Sequence, residues 1–167
     1  AETVGPAEAL TDGDGPHGLA WREWVEPAAV ATDAGGFEDH GVLDQMVTLV
    51  QPRVSLGGLA FMYVEPTRAL VAVDVNTGGD TSPASTLKAN LAACKALPRS
   101  LRLRGLGGQI VIDLAPMSKA HRKQIEAALR SAFKTDGIDT ALVGWTPLGH
   151  FELQRKRERL PIPSEVL

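Results

Sequence analysis

The sequence predicts an α/β domain built on a mixed sheet, with an antiparallel hairpin at its start and helices packed on it. Three observations carry this. Val/Ile-rich runs of strand length (GLAFMYVE, ALVAVDV, QIVIDL, ALVGW) alternate with longer segments of helical periodicity, the pattern of strands joined by helices. Pro66-Thr67 between the first two runs is too short a link for a crossover, so those runs pair as a hairpin. Each of the two later helical segments opens on a serine, Ser82 or Ser118, placed to cap it.

Taken in order, residues 1–38 are rich in Gly, Pro, Ala and acids, with turn signals in TDGDGPHG and DAGG. They read as an acidic arm that docks, where it docks, through Trp21 and Trp24. The domain is expected over residues 39–160, with a tail at 161–167. Leu43, Met46, Val47 and Val50 recur at helical spacing until Pro52. Strands follow at 58–65 and 69–75. Ser82-Pro83 is a cap followed by a proline at the first helical position, and Leu87, Leu91, Cys94 and Leu97 form one apolar face. Pro98 is expected to kink or interrupt this helix, and Gly105 to stop it. A strand at 109–114 leads to the helix capped by Ser118, with Ile125, Leu129, Ala132 and Phe133 inward. Gly137 ends that helix, a strand spans 141–145, and HFELQRKRERLPIP reads as a basic tail.

Composition narrows the function classes. No apolar run reaches bilayer length, no signal peptide is visible, and no membrane partner is expected. The chain starts at Ala1 rather than Met, which suggests a processed or excised piece. Cys94 is the single cysteine, so no intrachain disulfide and no cysteine-based zinc site can form. A reducing, cytoplasmic compartment fits. Net charge is −3, yet residues 1–45 hold ten Asp/Glu and one Arg. That leaves 16 of the 17 Lys/Arg and ten of the 20 Asp/Glu in residues 46–167, a balance of +6. A basic region around an acidic centre suits an anionic polymer held over a metal; a solvated surface accounts for the charge equally well.

The acidic centre is Asp74 and Asp113. Each lies near the end of an apolar run, where a charge is costly unless compensated. A single such Asp reads best as a turn cap. Two in matching contexts favour a shared divalent cation. Asn76 lies two residues after Asp74, on the same strand face, and completes an oxygen-rich trio suited to Mg²⁺ or Mn²⁺. Such a metal activates water and neutralises charge on a phosphate. No histidine is near either Asp in sequence, so His40, His121 and His150 read as surface or helix residues. Asn76-Thr77-Gly78-Gly79 lacks the ending of a P-loop and reads as a flexible turn. The basic candidates for phosphate contacts are Arg102 and Arg104, just before the Asp113 strand, then Arg122 and Lys123, then Arg155, Lys156 and Arg157.

Beyond these local signals, EPTRALVAVDVNTGG, LKANLAACKALPRSLRLRGLGGQIVIDLAPM and LGHFELQRKR resemble the ribonuclease E/G family, from about Phe37 to Leu160. The resemblance implies an endoribonuclease that hydrolyses single-stranded RNA with Mg²⁺, leaving a 5′-phosphate and a 3′-hydroxyl. It also implies a DNase I-like subdomain with part of an RNase H-like one. The family's metal aspartates fall on Asp74 and Asp113, and its nearby asparagine on Asn76. Its upstream OB-fold and 5′-monophosphate pocket have no counterpart here, and neither does its Cys-Pro-x-Cys zinc link. The expectation is an RNA-cleaving piece, with a homodimer compatible. The alternative is an RNA-binding or assembly module with little or no turnover.

Overall fold

The structure, a computed structural model, describes residues 9–10, 30–31 and 34–162. The chain divides into two units, Ala1–Thr48 together with Leu167, and Leu49–Val166. In the first, β1 (Ala9–Leu10) and β2 (Val30–Ala31) form a short parallel pair, and α1 (Gly36–Asp39) is one turn. Trp21 and Trp24 lie outside the described residues. The helix expected after residue 39 is α2 (Val42–Val50).

The second unit is a six-stranded mixed sheet. Its strands are β3 (Arg53–Gly57), β4 (Ala60–Pro66), β5 (Val71–Asn76), β6 (Gly108–Asp113), β7 (Thr140–Trp145) and β8 (Phe151–Arg155). They lie in the order β3-β4-β5-β6-β8-β7. Only β5 and β6 pair in parallel; every other neighbour is antiparallel. The expected hairpin is β4–β5. Two strands escaped the sequence reading. β3 carries Arg53 and Ser55 at exposed positions, which hides its pattern. β8 was read as a basic tail, although Phe151, Leu153 and Arg155 point inward and Glu152 and Gln154 do not.

Parallel strands need a crossover, and α3 (Pro83–Leu103) supplies it. Ser82 Oγ accepts from the Ser85 N–H, with Pro83 at the first helical position, as the sequence predicts. Pro98 does not interrupt this helix. It removes one backbone bond, at about 3 kcal/mol in an isolated helix. It is buried between Leu97 and Leu101, each worth about 1.5–3 kcal/mol on burial, so packing holds the helix continuous. Gly105 ends it with φ +66, and the Leu106 N–H donates to the Leu101 carbonyl at 2.9 Å. Ser118 caps a 3₁₀ turn (Lys119–His121) that runs into α4 (Arg122–Lys134). α3 and α4 pack together, and the core joins their Leu97, Leu101, Ile125 and Leu129 to the inward face of the sheet: Met62, Val64, Val73, Ile110, Ile112 and Leu153.

The same interior holds charge. Arg155 is fully buried, and its Nη1 lies 2.6 Å from Asp136 Oδ2 and donates to Thr140 Oγ1 at 2.8 Å. Asp136 is itself buried and also pairs with Arg102 from α3. The cluster ties the end of α3, the turn after α4, and strands β7 and β8. Removing one member leaves a partner charge stranded in the core. Arg155→Ala should therefore lower unfolding free energy by about 3–5 kcal/mol in urea titrations. Cys94 sits in the core with its thiol pushed up to about 12 by burial. It should react with a thiol reagent only as the protein unfolds, at the rate followed by circular dichroism.

Candidate functional site

β5 and β6 bring the two aspartates together. Asp74 and Asp113 are directly opposed partners in the parallel ladder, one inter-strand spacing of about 4.8 Å apart along the backbone. Val71, Val73, Val75, Ile110 and Ile112 alternate with them and are buried, whereas both aspartates face outward and are exposed. The charges are thus solvated. Their apolar neighbours in sequence point to the opposite face, so the expected cost of embedding a carboxylate does not arise. Asn76 shares the outward face, and its Nδ2 donates to Asp74 Oδ2 at 2.8 Å, which fixes that carboxylate. The turn after it is held closely: Gly78 has φ +76, and a side chain there would collide with the Leu59 backbone of the β3–β4 turn.

The sequence reading took His150 as a surface or helix residue and did not place it at the site. Its Nε2 lies 3.6 Å from Asp113 Oδ1. It ends the tight β7–β8 turn, where the Thr146 N–H donates to the His150 carbonyl and the His150 N–H donates to Thr146 Oγ1. The signal was the alternation of β8, which places the preceding turn beside the end of β6. Asn90 is a second residue that the sequence reading did not place there. It is fully buried on α3, its Nδ2 donates to the Ala115 carbonyl, and its Oδ1 accepts from the Ala115 N–H, both at 2.9 Å. This two-bond clamp fixes the chain two residues beyond Asp113.

The basic candidates separate by place. Arg102 and Arg104 end a helix of 21 residues, which returns the chain to the start of β6, a full strand away from Asp113. Arg102 pairs with Asp136. Arg104 is buried, and its guanidinium donates to Ser100 Oγ at 2.6 Å and to the Gln51 carbonyl at 3.0 Å. Burial pushes that guanidinium below its usual range. Arg155 is interior. Arg104 and Arg155 are buried in these contacts, and Arg102 is part-exposed beside Asp136. Arg157 is exposed and lies against Gly107 and Gly108, also at the start of β6, and Lys156 pairs with Glu158 at 3.0 Å. Arg122 stands at the Asp113 end: its guanidinium lies 4.6 Å from the Trp145 ring centroid, and Trp145 is level with Phe151 and Ile112 across the sheet. Lys123 beside it is exposed.

Two exposed carboxylates and an amide make a donor set that fits a hard cation such as Mg²⁺, which takes few protein carboxylates and retains water. Among the described residues, no group of three or more His, Cys, Asp or Glu side chains is placed to hold a metal ion, so the site is open rather than caged. Together, fold and site define an α/β protein with a carboxylate–amide site at the carboxyl ends of adjacent parallel strands, where open α/β sheets hold ligands. The model of the ribonuclease E/G family matches residues 24–158, and the chain belongs to that family. It is 34% identical over 128 residues to ribonuclease G of Salmonella typhimurium and 35% identical over 128 residues to that of Haemophilus influenzae. Each match covers 74% of this chain and 26% of the relative. Ribonuclease E of Synechocystis sp. is 35% identical over 115 residues, covering 65% of this chain and 17% of that protein. The chain thus spans about a quarter of the length of the ribonuclease G relatives it matches.

The clamp gives a direct test. Asn90→Ala would leave a buried N–H and a buried carbonyl without partners, at about 1–3 kcal/mol for each group. A urea titration should show that loss, and amide exchange at Ala115 should accelerate more than exchange within β5.

Proposed function

We propose that this chain carries the phosphodiester-hydrolysing site of an endoribonuclease that acts on single-stranded RNA. The observation that carries the reading is the direct opposition of Asp74 and Asp113 at the ends of parallel strands, in a chain of this family. Both carboxylates would hold Mg²⁺, with Mn²⁺ able to substitute; a cation held there neutralises charge developing on the phosphate and activates water. Asn76 holds the Asp74 carboxylate in a fixed orientation. The Asn90 clamp fixes the chain that leaves Asp113, and His150 Nε2 lies 3.6 Å from the Asp113 carboxylate. The pair of like charges repels the phosphate at the site until it is neutralised, so cutting depends on the cation. Arg122 and Lys123 at the same end of the sheet supply positive charge for the phosphates, and Lys156 and Arg157 extend it at the far end.

One observation favours a second reading, an RNA-binding module without turnover: Arg102, Arg104 and Arg155 serve the fold, which leaves less charge to grip RNA. Metal-independent, salt-sensitive binding without product would select it.

Asp113→Asn should abolish Mg²⁺-dependent cleavage of a single-stranded RNA and leave the unfolding free energy from urea titration within about 0.5 kcal/mol of the original, as expected for an exposed position. Undiminished cutting by this variant would sink the assignment.

A further inference from the structure

One feature of the outward sheet face is not used by the carboxylates. In β4, Met62 and Val64 point into the core, so Phe61 and Tyr63 point the other way. Both are half-buried, and they meet edge to face with centroids 5.4 Å apart. Arg53 on β3 lies over the Phe61 ring, 4.3 Å from its centroid. The register sets these groups beside the candidate site: Tyr63 is the partner of Asp74, and Phe61 the partner of Asn76. Two aromatic rings and a guanidinium therefore form a continuous surface one strand away from the carboxylate pair.

We propose that Phe61, Tyr63 and Arg53 form a stacking platform for the bases of a single-stranded RNA next to the phosphate held at Asp74 and Asp113. Aromatics on an outward sheet face are surfaces on which unpaired bases stack. These rings stand at 78° to each other with the Arg53 guanidinium over one of them, so bases would stack on a ring and on the guanidinium rather than on two parallel rings. Base–aromatic stacking is tolerant of sequence, and a guanidinium plane stacks as a ring does while its charge attracts phosphate. Next to the rings this face is polar and charged, with Ser55, Glu65, Asp74 and Asn76 beside them. The core of a protein–protein contact is depleted of such charge, which favours a nucleic acid as the occupant. The platform rests on the RNA reading above and adds to it how bases are held.

The test is fluorescence anisotropy with a short oligoadenylate and with the same oligomer made abasic, both in EDTA so that nothing is cut. Phe61→Leu and Tyr63→Leu should each weaken oligoadenylate binding about tenfold, as expected for the loss of one stacked base. Tyr63→Phe should retain the affinity, and the abasic oligomer should bind the wild type and the leucine variants alike. Unchanged urea midpoints exclude a folding effect. The platform is overturned if the wild type does not prefer the base-bearing oligomer, or if neither leucine variant loses affinity. It is also overturned if these variants lower the particle mass in sedimentation without changing RNA affinity, which gives the face to a second copy of the chain. Cleavage by Asp113→Asn separates the two readings. Cutting that survives this variant while the leucine variants bind poorly removes the metal site and keeps the platform. Cutting that is lost while the leucine variants bind normally does the reverse.

Discussion

The parallel pairing of β5 with β6 is the constraint on which the rest of the second unit depends. A pair of parallel neighbours cannot be closed by a turn, so the chain has to travel back along the sheet before the second strand starts. α3 makes that return, and most of what is distinctive about the unit follows from its length and position. Its apolar face covers the inward side of the sheet. Asn90, partway along it, reaches the chain leaving β6. Its last turn sits at the start of β6, which is why two arginines close to Asp113 in sequence are remote from it in space. The parallel register itself sets the two aspartates level, which an antiparallel arrangement of the same strands would not do with both at their carboxyl ends.

Charge is used in two opposite ways in this unit. At the outward face, Asp74 and Asp113 are solvated and can accept a counter-charge from outside the chain. In the interior, Asp136 receives Arg155 and Arg102 and is closed to solvent. The second arrangement is expensive to desolvate, and replacement by apolar residues of matching shape is often neutral. What it provides is a fixed meeting point for four separate pieces of chain: the ends of α3 and α4, and the strands β7 and β8. The exposed pair depends on this frame, because His150 lies in the turn that β7 and β8 make.

The sequence made the alternation of strands and helices legible, along with the β4–β5 hairpin, the Ser82 and Ser118 caps and the stop at Gly105, because each is set by local chemistry. The juxtaposition of Asp74 and Asp113 was legible too, although by an argument the structure revises. Apolar neighbours along a strand say little about an outward-facing residue, since alternate positions belong to different environments. β8 was illegible because its inward positions end in Arg155, and a basic run reads as surface. The placing of His150 was illegible for the same reason: its proximity to Asp113 exists only once β8 lies beside β6. Pro98 does not interrupt its helix because helix propensity is a local quantity, while Leu97 and Leu101 are held by the sheet.

The strand order carries a consequence for how the molecule comes into being. β8 is the last strand in sequence, yet it lies inside the sheet, between β6 and β7. During synthesis β6 therefore has one bare edge until residues 151–155 have left the ribosome, and β7 has no neighbour at all. The half of the sheet that bears Asp74 can assemble from earlier chain, but the surroundings of Asp113 are completed only when β8 has emerged. A chain interrupted before that point would present an unpaired hydrogen-bonding edge at its own centre, the kind of edge that templates aggregation.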